Sequence, residues 1–442
     1  MAETAGAPRP LTHARLLKIA LPIVLSNATV PILGAVDTGV VGQMGQAAPI
    51  GAVGVGAIIL TGVYWIFGFL RMGTTGFAAQ AHGAGQAGEV SALLTRALML
   101  GLAAGAAIIA LQSLIFAGAF ALSPASREVE GMARDYMRIR VWSAPALISL
   151  YGVTGWLIAL ERTRAVLVIQ LVMNGLNIGL DLWFVLGLGW GVQGVATATF
   201  IAEWSGLGVG LWLCRNAFAN PAWRDWPRIF NRARLVLMVR VNSDILFRSM
   251  LLQAIFISFL FVGADFGDVT LAANQVLLQF LTITAYALDG FAFGAETLVG
   301  QALGARNRAA LRRGAILSSG WGMAIGLGLG LVFWVFGGAI IDLMTTAPEV
   351  RLVAREFLPF MVLAPLLGGP SWMLDGIFIG ATRSRDMRNM MALSFAVYVL
   401  AVLGLVGPFG NQGLWLAFLI SFVARGVTLG LRYPALEAEA AR

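Results

Sequence analysis

The chain has 442 residues, 59% of them hydrophobic and only 12% charged, with a formal charge of +8. A soluble globular domain carries about 25% charged residues, so this balance excludes one, and long unbroken apolar runs exclude the alternating strands of a β-barrel. One cysteine, Cys214, excludes an intrachain disulfide, and the two histidines, His13 and His82, lie in terminal or loop segments without metal-ligand company.

A bilayer core takes roughly 20 helical residues. Runs of that length predict spans at 16–41, 50–71, 92–117, 131–157, 165–187, 192–214, 234–262, 270–293, 313–341, 352–379, 388–407 and 411–432. The expectation is therefore an all-α polytopic membrane protein with twelve transmembrane helices. The N-terminal segment MAETAGAPRPLTHARLLK lacks a signal-peptide cleavage pattern, and Arg15 and Lys18 read as an anchor to the first span.

The connections fall into two sets. QMGQAAP, GLGWGV, GADFGD and GPFGNQ hold no Lys or Arg, whereas ERTR, RNAFANPAWRDWPRIFNRAR, ARNRAALRR and RSRDMR are rich in arginine. The positive-inside rule puts the basic set, and with it both termini, on the cytoplasmic side. Positive charge confined to short loops sets orientation and argues against nucleic acid as a partner. Arg162, Arg164, Arg383 and Arg385 read as anchors of this kind.

The sequence also repeats. FLRMGTTGFAAQAHGAGQ (69–86) resembles GFAFGAETLVGQALGARN (290–307), and LIALERTR (157–164) resembles FIGATRSR (378–385). Gln80 with Gln301, Gly83 with Gly304, Arg162 with Arg383 and Arg164 with Arg385 all share an offset of 221 residues, and GVQG (191–194) matches GNQG (410–413) after a two-residue slip. Each repeat holds six spans, an even number, so both cross the membrane in the same sense. This predicts an N-terminal lobe at 1–215, a cytoplasmic inter-lobe linker at 216–233 and a C-terminal lobe at 234–442, related by a pseudo-two-fold along the membrane normal. Two such lobes suit alternating access.

Polar residues inside the spans narrow the function. An aspartate at the centre of a membrane helix costs roughly 2.5–3.5 kcal/mol, so Asp37 in the first span needs a job or a partner. A rise of 1.5 Å per residue gives approximate depths. Asp37, Asn177, Asp181, Thr197, Thr199 and Tyr136 fall in the outer half of the first lobe, with Glu203 near the middle. Asn177 and Asp181 share a helix face, as do Thr199 and Glu203. The sequence reading places no Lys or Arg at their depth. Close carboxylates hold one proton between them, and a cationic substrate competing with that proton gives antiport. Sodium held by Asp37, Asn177, Asp181 and Thr199 is the alternative coupling ion, and Glu203 the alternative protonation site. Buried Asn and Thr also satisfy helix–helix hydrogen bonds, and Tyr136 also suits an aromatic belt. Pro22, with Pro31 behind it, gives the first helix a place to bend.

The second lobe carries Asp244, Arg248, Asp289, Glu296 and Asp375 in its cytoplasmic half. With a positive partner present, these read as a salt-bridge network, or more sharply as a cytoplasmic gate. No nucleophile, H-E-x-x-H or G-x-S-x-G occurs, so no enzyme activity, cofactor or structural metal is expected. A lipid-precursor flippase would want a basic cleft for phosphate, whereas the first lobe offers acids.

The two six-helix halves, Pro22 and Asp37 in the first span, the Gln80-x-x-Gly83 and Gln301-x-x-Gly304 loops, and Asn177 before Asp181 resemble the multidrug and toxic compound extrusion (MATE) transporters. ALDGFAFGAETLVGQALGARN (287–307) and LDGIFIGATRSRDMRNMM (374–391) resemble the DinF branch, the relatives of DNA-damage-inducible protein F. The resemblance implies a cation-coupled antiporter that exports organic, often cationic or amphipathic compounds from the bacterial inner membrane, acting as a monomer. It also implies that Asp37, Asn177, Asp181, Thr199 and Tyr136 line the first lobe's polar cavity, with Asp37 taking up the coupling proton. The second-lobe coupling acids of the NorM-like branch have no counterpart here, since Asp375 lies too near Arg383.

Overall fold

In lipid every backbone N–H and C=O must be paired within the protein, which leaves helices as the form for these apolar runs. The computed structural model describes residues 10–44, 47–122 and 126–441. Residues 1–9 of the N-terminal segment, and Gly45 and Gln46 of the first connection, lie outside the described residues.

The first repeat builds α1 (His13–Gly42), α2 (Ala47–Trp65), α3 (Phe69–Gly83), α4 (Ala87–Ala110), α5 (Gln112–Leu122), α6 (Arg127–Arg140), α7 (Ala144–Ala159), α8 (Thr163–Asp181) and α9 (Gly191–Leu213). Two short helices, α10 (Arg215–Phe218) and α11 (Trp226–Ile229), follow. The second repeat builds α12 (Arg232–Ala264), α13 (Asp268–Gly304), α14 (Arg308–Met344), α15 (Pro348–Gly380) and α16 (Ser384–Glu439). No strand occurs among the described residues. Single turns of tighter helix at Ile66–Gly68 and Val141–Ser143 join α2 to α3 and α6 to α7.

Among the described residues, ten helical stretches are long and apolar enough to cross a membrane. The twelve expected spans are reached with α9, which is 23 residues long, and with the division of α16 at Gly410. Gly410 takes φ 55° and ψ −133°, a conformation no helix contains and one that only glycine adopts without strain.

The repeat read from the sequence is present in the backbone. Left-handed residues close α3 at Gly85 (φ 69°) and α13 at Arg306 (φ 52°), and again close α7 at Glu161 (φ 59°) and α15 at Thr382 (φ 52°). The bonds around them match, with Arg162 N donating to Leu157 O at 2.8 Å and Arg383 N to Phe378 O at 3.0 Å. These are helix-ending motifs in which a left-handed residue lets the chain recover the last carbonyls. Gly191 (φ 57°) and Gly410 (φ 55°) form a third pair, two residues short of the common offset.

The helices pack into two compact units, which do not coincide with the repeats. One comprises Leu25–Ala78 and Gln86–Leu235. Its core gathers Val41, Ala52, Leu60, Tyr64, Tyr136, Met137, Ile148 and Val195. The segment 216–233, expected as a linker, belongs to it. Arg96 of α4 donates from Nε to Ile229 O at 2.9 Å and from Nη2 to Arg228 O at 2.5 Å, and Thr95 donates to Trp223 O.

The other unit comprises the chain up to Val24, Ala79–Gly85 and everything from Val236 onward. Phe259, Phe280, Phe333, Met361, Trp415, Phe418 and Phe422 make its main core. Leu16, Ile19 and Ala20 of α1 pack against Leu288, Phe291 and Met373 in a second cluster. Here the ends of α3 and α13 cross so closely that a methyl group on Gly83 would collide with the Gln301 backbone, and one on Gly304 with the Gln80 backbone.

Candidate functional site

The α8 residues Gln170, Asn174, Asn177 and Asp181 recur at helical spacing and form one polar stripe. Gln170 donates to Asn174 Oδ1 at 3.0 Å, and Asn177 Nδ2 donates to Asp181 Oδ2 at 2.8 Å. The stripe faces α1, where Asn174 Nδ2 donates to Thr29 Oγ1 at 2.8 Å and Thr29 Oγ1 donates to Ser26 O at 2.7 Å. Asp37 lies two turns further along α1, half-buried, with its carboxyl within hydrogen-bonding reach of Asp181. Asn177 and Asp181 are buried. Immediately after Asp181 the backbone widens into a π-helical stretch, Leu182–Gly187, a form that often marks functional positions. Asn174, Gln170 and Thr29 escaped the sequence reading, although their spacing from Asn177 and Asp181 was the available signal.

The expectation that no basic residue lies at this depth is overturned by Arg140. Its guanidinium sits at the end of α6, donating from Nη1 to Tyr136 Oη at 2.9 Å and from Nη2 to Glu203 Oε1 at 2.8 Å. Tyr64 Oη and Ser143 Oγ both donate to the Arg140 carbonyl. Asp37 lies within electrostatic reach of Arg140 and Tyr136. Tyr136 is therefore a buried partner of a guanidinium rather than a belt residue, being 2% exposed. Glu203 is a neutralised acid.

Asp37 Oδ1, Asp181 Oδ1, Glu203 Oε2 and Arg140 Nε are all buried without a hydrogen-bond partner among the described residues. Buried polar atoms are normally satisfied, so four such atoms in one region make it a candidate binding site. Three carboxyl groups against one guanidinium leave the cluster acidic. The two threonines are committed to their own helix: Thr199 donates to Val195 O at 3.0 Å and Thr197 to Gln193 O at 2.7 Å. Thr199 is buried and Thr197 half-buried. Pro22 is buried within the continuous helix α1.

The second-repeat charges form two groups. Arg248 Nη2 pairs with Asp375 Oδ2. Asp244, one turn from Arg248, accepts instead from Ser384 Oγ at 2.9 Å and Arg388 Nη1 at 2.7 Å. Arg425 joins the first group, with Nε 3.8 Å from Asp375 Oδ2. Glu296 is buried in α13, and Asp289 is half-buried there within electrostatic reach of Tyr286. Arg388 and Arg425 escaped the sequence reading, because their partners lie far away in the chain.

The MatE family profile matches residues 22–183 and, a second time, residues 245–406. The chain is 39% identical to DNA damage-inducible protein F of Escherichia coli (strain K12), over 97% of this chain and 92% of the relative. It is 22% identical to a probable multidrug resistance protein NorM of Synechocystis sp., over 94% and 93%. Among solved structures, the Vibrio cholerae MATE transporter VcmN in the bent form has the same fold, with a TM-score of 0.87, 21% identity and 97% of each chain covered. A profile matched once in each half, a relative at this identity along nearly the full length, and a shared two-lobe helical fold lead to one conclusion: this multi-pass membrane chain belongs to the MatE family of multidrug and toxic compound efflux transporters.

Proposed function

We propose that the chain exports organic cationic or amphipathic compounds in exchange for protons, by alternating access, with Asp37 and Asp181 as the coupling pair and Asp37 as its main acid. The observation that carries this reading is the approach of the two carboxyl groups to hydrogen-bonding reach, each with one buried oxygen that has no hydrogen-bond partner among the described residues. Two carboxyl groups at that reach hold one proton between them, since like charges so close cannot both persist. A cation entering the region competes with that proton for the same negative charge, which is the requirement of antiport. Glu203 is held by Arg140, which favours the aspartate pair over it as the exchange site. Asn177 fixes the Asp181 carboxyl, Tyr136 fixes the guanidinium, and Pro22 gives α1 its bending point.

The excess of acid over base also supports a cationic partner rather than a phosphate-bearing lipid precursor. The arginine-rich connections support a bacterial inner-membrane orientation with both termini cytoplasmic, and the protein is proposed to work as a monomer.

Everted vesicles holding a proton gradient test the reading. Adding ethidium to vesicles with the wild-type chain releases protons, read as acridine-orange dequenching, and Asp37→Asn abolishes the release. Equal dequenching by the two proteins sinks the role of Asp37. Ethidium uptake that is driven by an imposed sodium gradient and leaves the acridine-orange signal quenched moves the coupling ion to Na+, with Asp37, Asn177, Asp181 and Thr199 as its oxygen donors.

A further inference from the structure

A second cluster of buried charge lies in the unit that holds the chain from Val236 onward, and the coupling scheme does not use it. Arg248 of α12, Asp375 of α15 and Arg425 of α16 are 6%, 7% and 3% exposed. Both guanidiniums address one carboxylate oxygen, since Arg248 Nη2 and Arg425 Nε both approach Asp375 Oδ2. Among the described residues, Asp375 and Arg248 lie within electrostatic reach of Arg425. The adjoining Asp244–Arg388 pair is balanced, so including it leaves three arginines facing two aspartates.

The remaining contacts of Arg425 carry no charge. Its Nη2 donates to Ser371 Oγ at 2.8 Å, and its guanidinium carbon lies 5.9 Å from the Trp372 ring and 5.7 Å from the Phe422 ring. Among the described residues the Nε atoms of Arg248 and Arg425 are buried without an acceptor at hydrogen-bond distance. A buried guanidinium with a missing counter-charge and a missing acceptor is costly. An oxyanion supplies both deficits at once, because guanidiniums bind carboxylate, sulfonate and phosphate through paired N–H groups. Trp372, half-buried and 5.4 Å from the Phe422 ring, offers an apolar face beside the charges.

We propose that Arg248 and Arg425 form an anion-binding site that takes the carboxylate, sulfonate or phosphate head of an amphipathic molecule, with its apolar body along Trp372. Asp375 occupies part of this site as an internal competitor. The site shares no residue with the Asp37–Asp181 pair, and its test requires no transport.

Dansylglycine, a carboxylate on an apolar fluorescent ring system, is titrated into the full-length protein in phosphatidylcholine nanodiscs and read by energy transfer from tryptophan. Saturable binding is expected, with the neutral dansylamide binding far more weakly. Arg248→Gln and Arg425→Gln each weaken dansylglycine by about tenfold or more. Asp375→Asn removes the competitor and tightens binding several-fold, a gain that a merely structural ion pair does not produce. Phosphatidylglycerol added to the discs identifies the source of the anion. Displacement of the probe marks a lipid headgroup site, and no displacement marks a site for free amphipathic anions. Absence of saturable transfer, equal affinity for the two probes, or unchanged affinity in all three variants overturns the proposal.

Discussion

Arg140 Nη2 donates to Glu203 Oε1 at 2.8 Å, with the two side chains 11% and 6% exposed, and this pair ties the end of α6 to the middle of α9. A buried pair of this kind contributes little against a well-packed apolar replacement, but removing one member strands the other. Arg140→Met and Glu203→Leu singly are each expected to cost roughly 3–5 kcal/mol of stability. The double variant is expected to recover most of that loss. Thermal unfolding of the purified protein in detergent closes the cycle, and a coupling near zero would show that the pair contributes nothing.

The crossing of α3 and α13 leaves no room for a side chain at Gly83 or Gly304. Each Gly→Ala change there is expected to lower stability by about 1–3 kcal/mol through overpacking against rigid backbone. Gly320 of α14 has nothing within 4 Å of a built methyl group and serves as the control. Gly320→Ala should be neutral or slightly stabilising, since alanine is favoured over glycine in a helix by about 0.8–1.0 kcal/mol. Parallel melting curves for all three variants would refute the tight crossing.

Arg96 is 2% exposed and holds the segment after α10 through the carbonyls of Arg228 and Ile229, while its Nη1 pairs with Glu89 Oε1 at 2.6 Å. Charge-assisted bonds contribute roughly 1.5–3 kcal/mol each, so Arg96→Ala should raise the local opening of 215–232 by about tenfold or more. Limited trypsin digestion reads this directly through cleavage at Arg224 and Arg228. An unchanged cleavage rate would mean that the segment is held elsewhere.

The architecture was legible because it is written locally and twice. Apolar runs of bilayer length dictate helices, and the 221-residue offset seen in Gln80 and Gln301 reappears in the left-handed residues at Gly85 and Arg306, and at Glu161 and Thr382. Asp37 and Asp181 could be brought together from depth alone, since the arginine-rich connections make each a late residue of a span expected to run outward. Depth did not find Arg140. Its helix reads REVEGMARDYMRIR, dense with charge like a solvated surface, and the long arginine side chain reaches inward from an end position. The four-residue spacing from Tyr136 was the signal that could have found it. The pairs Asp244–Arg388 and Asp375–Arg425 join different helices, and nothing in either segment alone specifies such a partner.

At Gly83 and Gln301, and again at Gly304 and Gln80, the chain meets itself as two identical subunits meet at an isologous interface. A true homodimer receives every substitution twice and must keep both sides alike. A fused one does not. Arg15 donates to Gln301 Oε1 at 2.9 Å, but the position 221 residues further on holds Val236, which has no such donor. Gln80 gives its amide to the Gly380 carbonyl and the Thr382 hydroxyl. Joining the two halves in one polypeptide has thus let a symmetric crossing acquire unequal sides, with the guanidinium of α1 assigned to one of them.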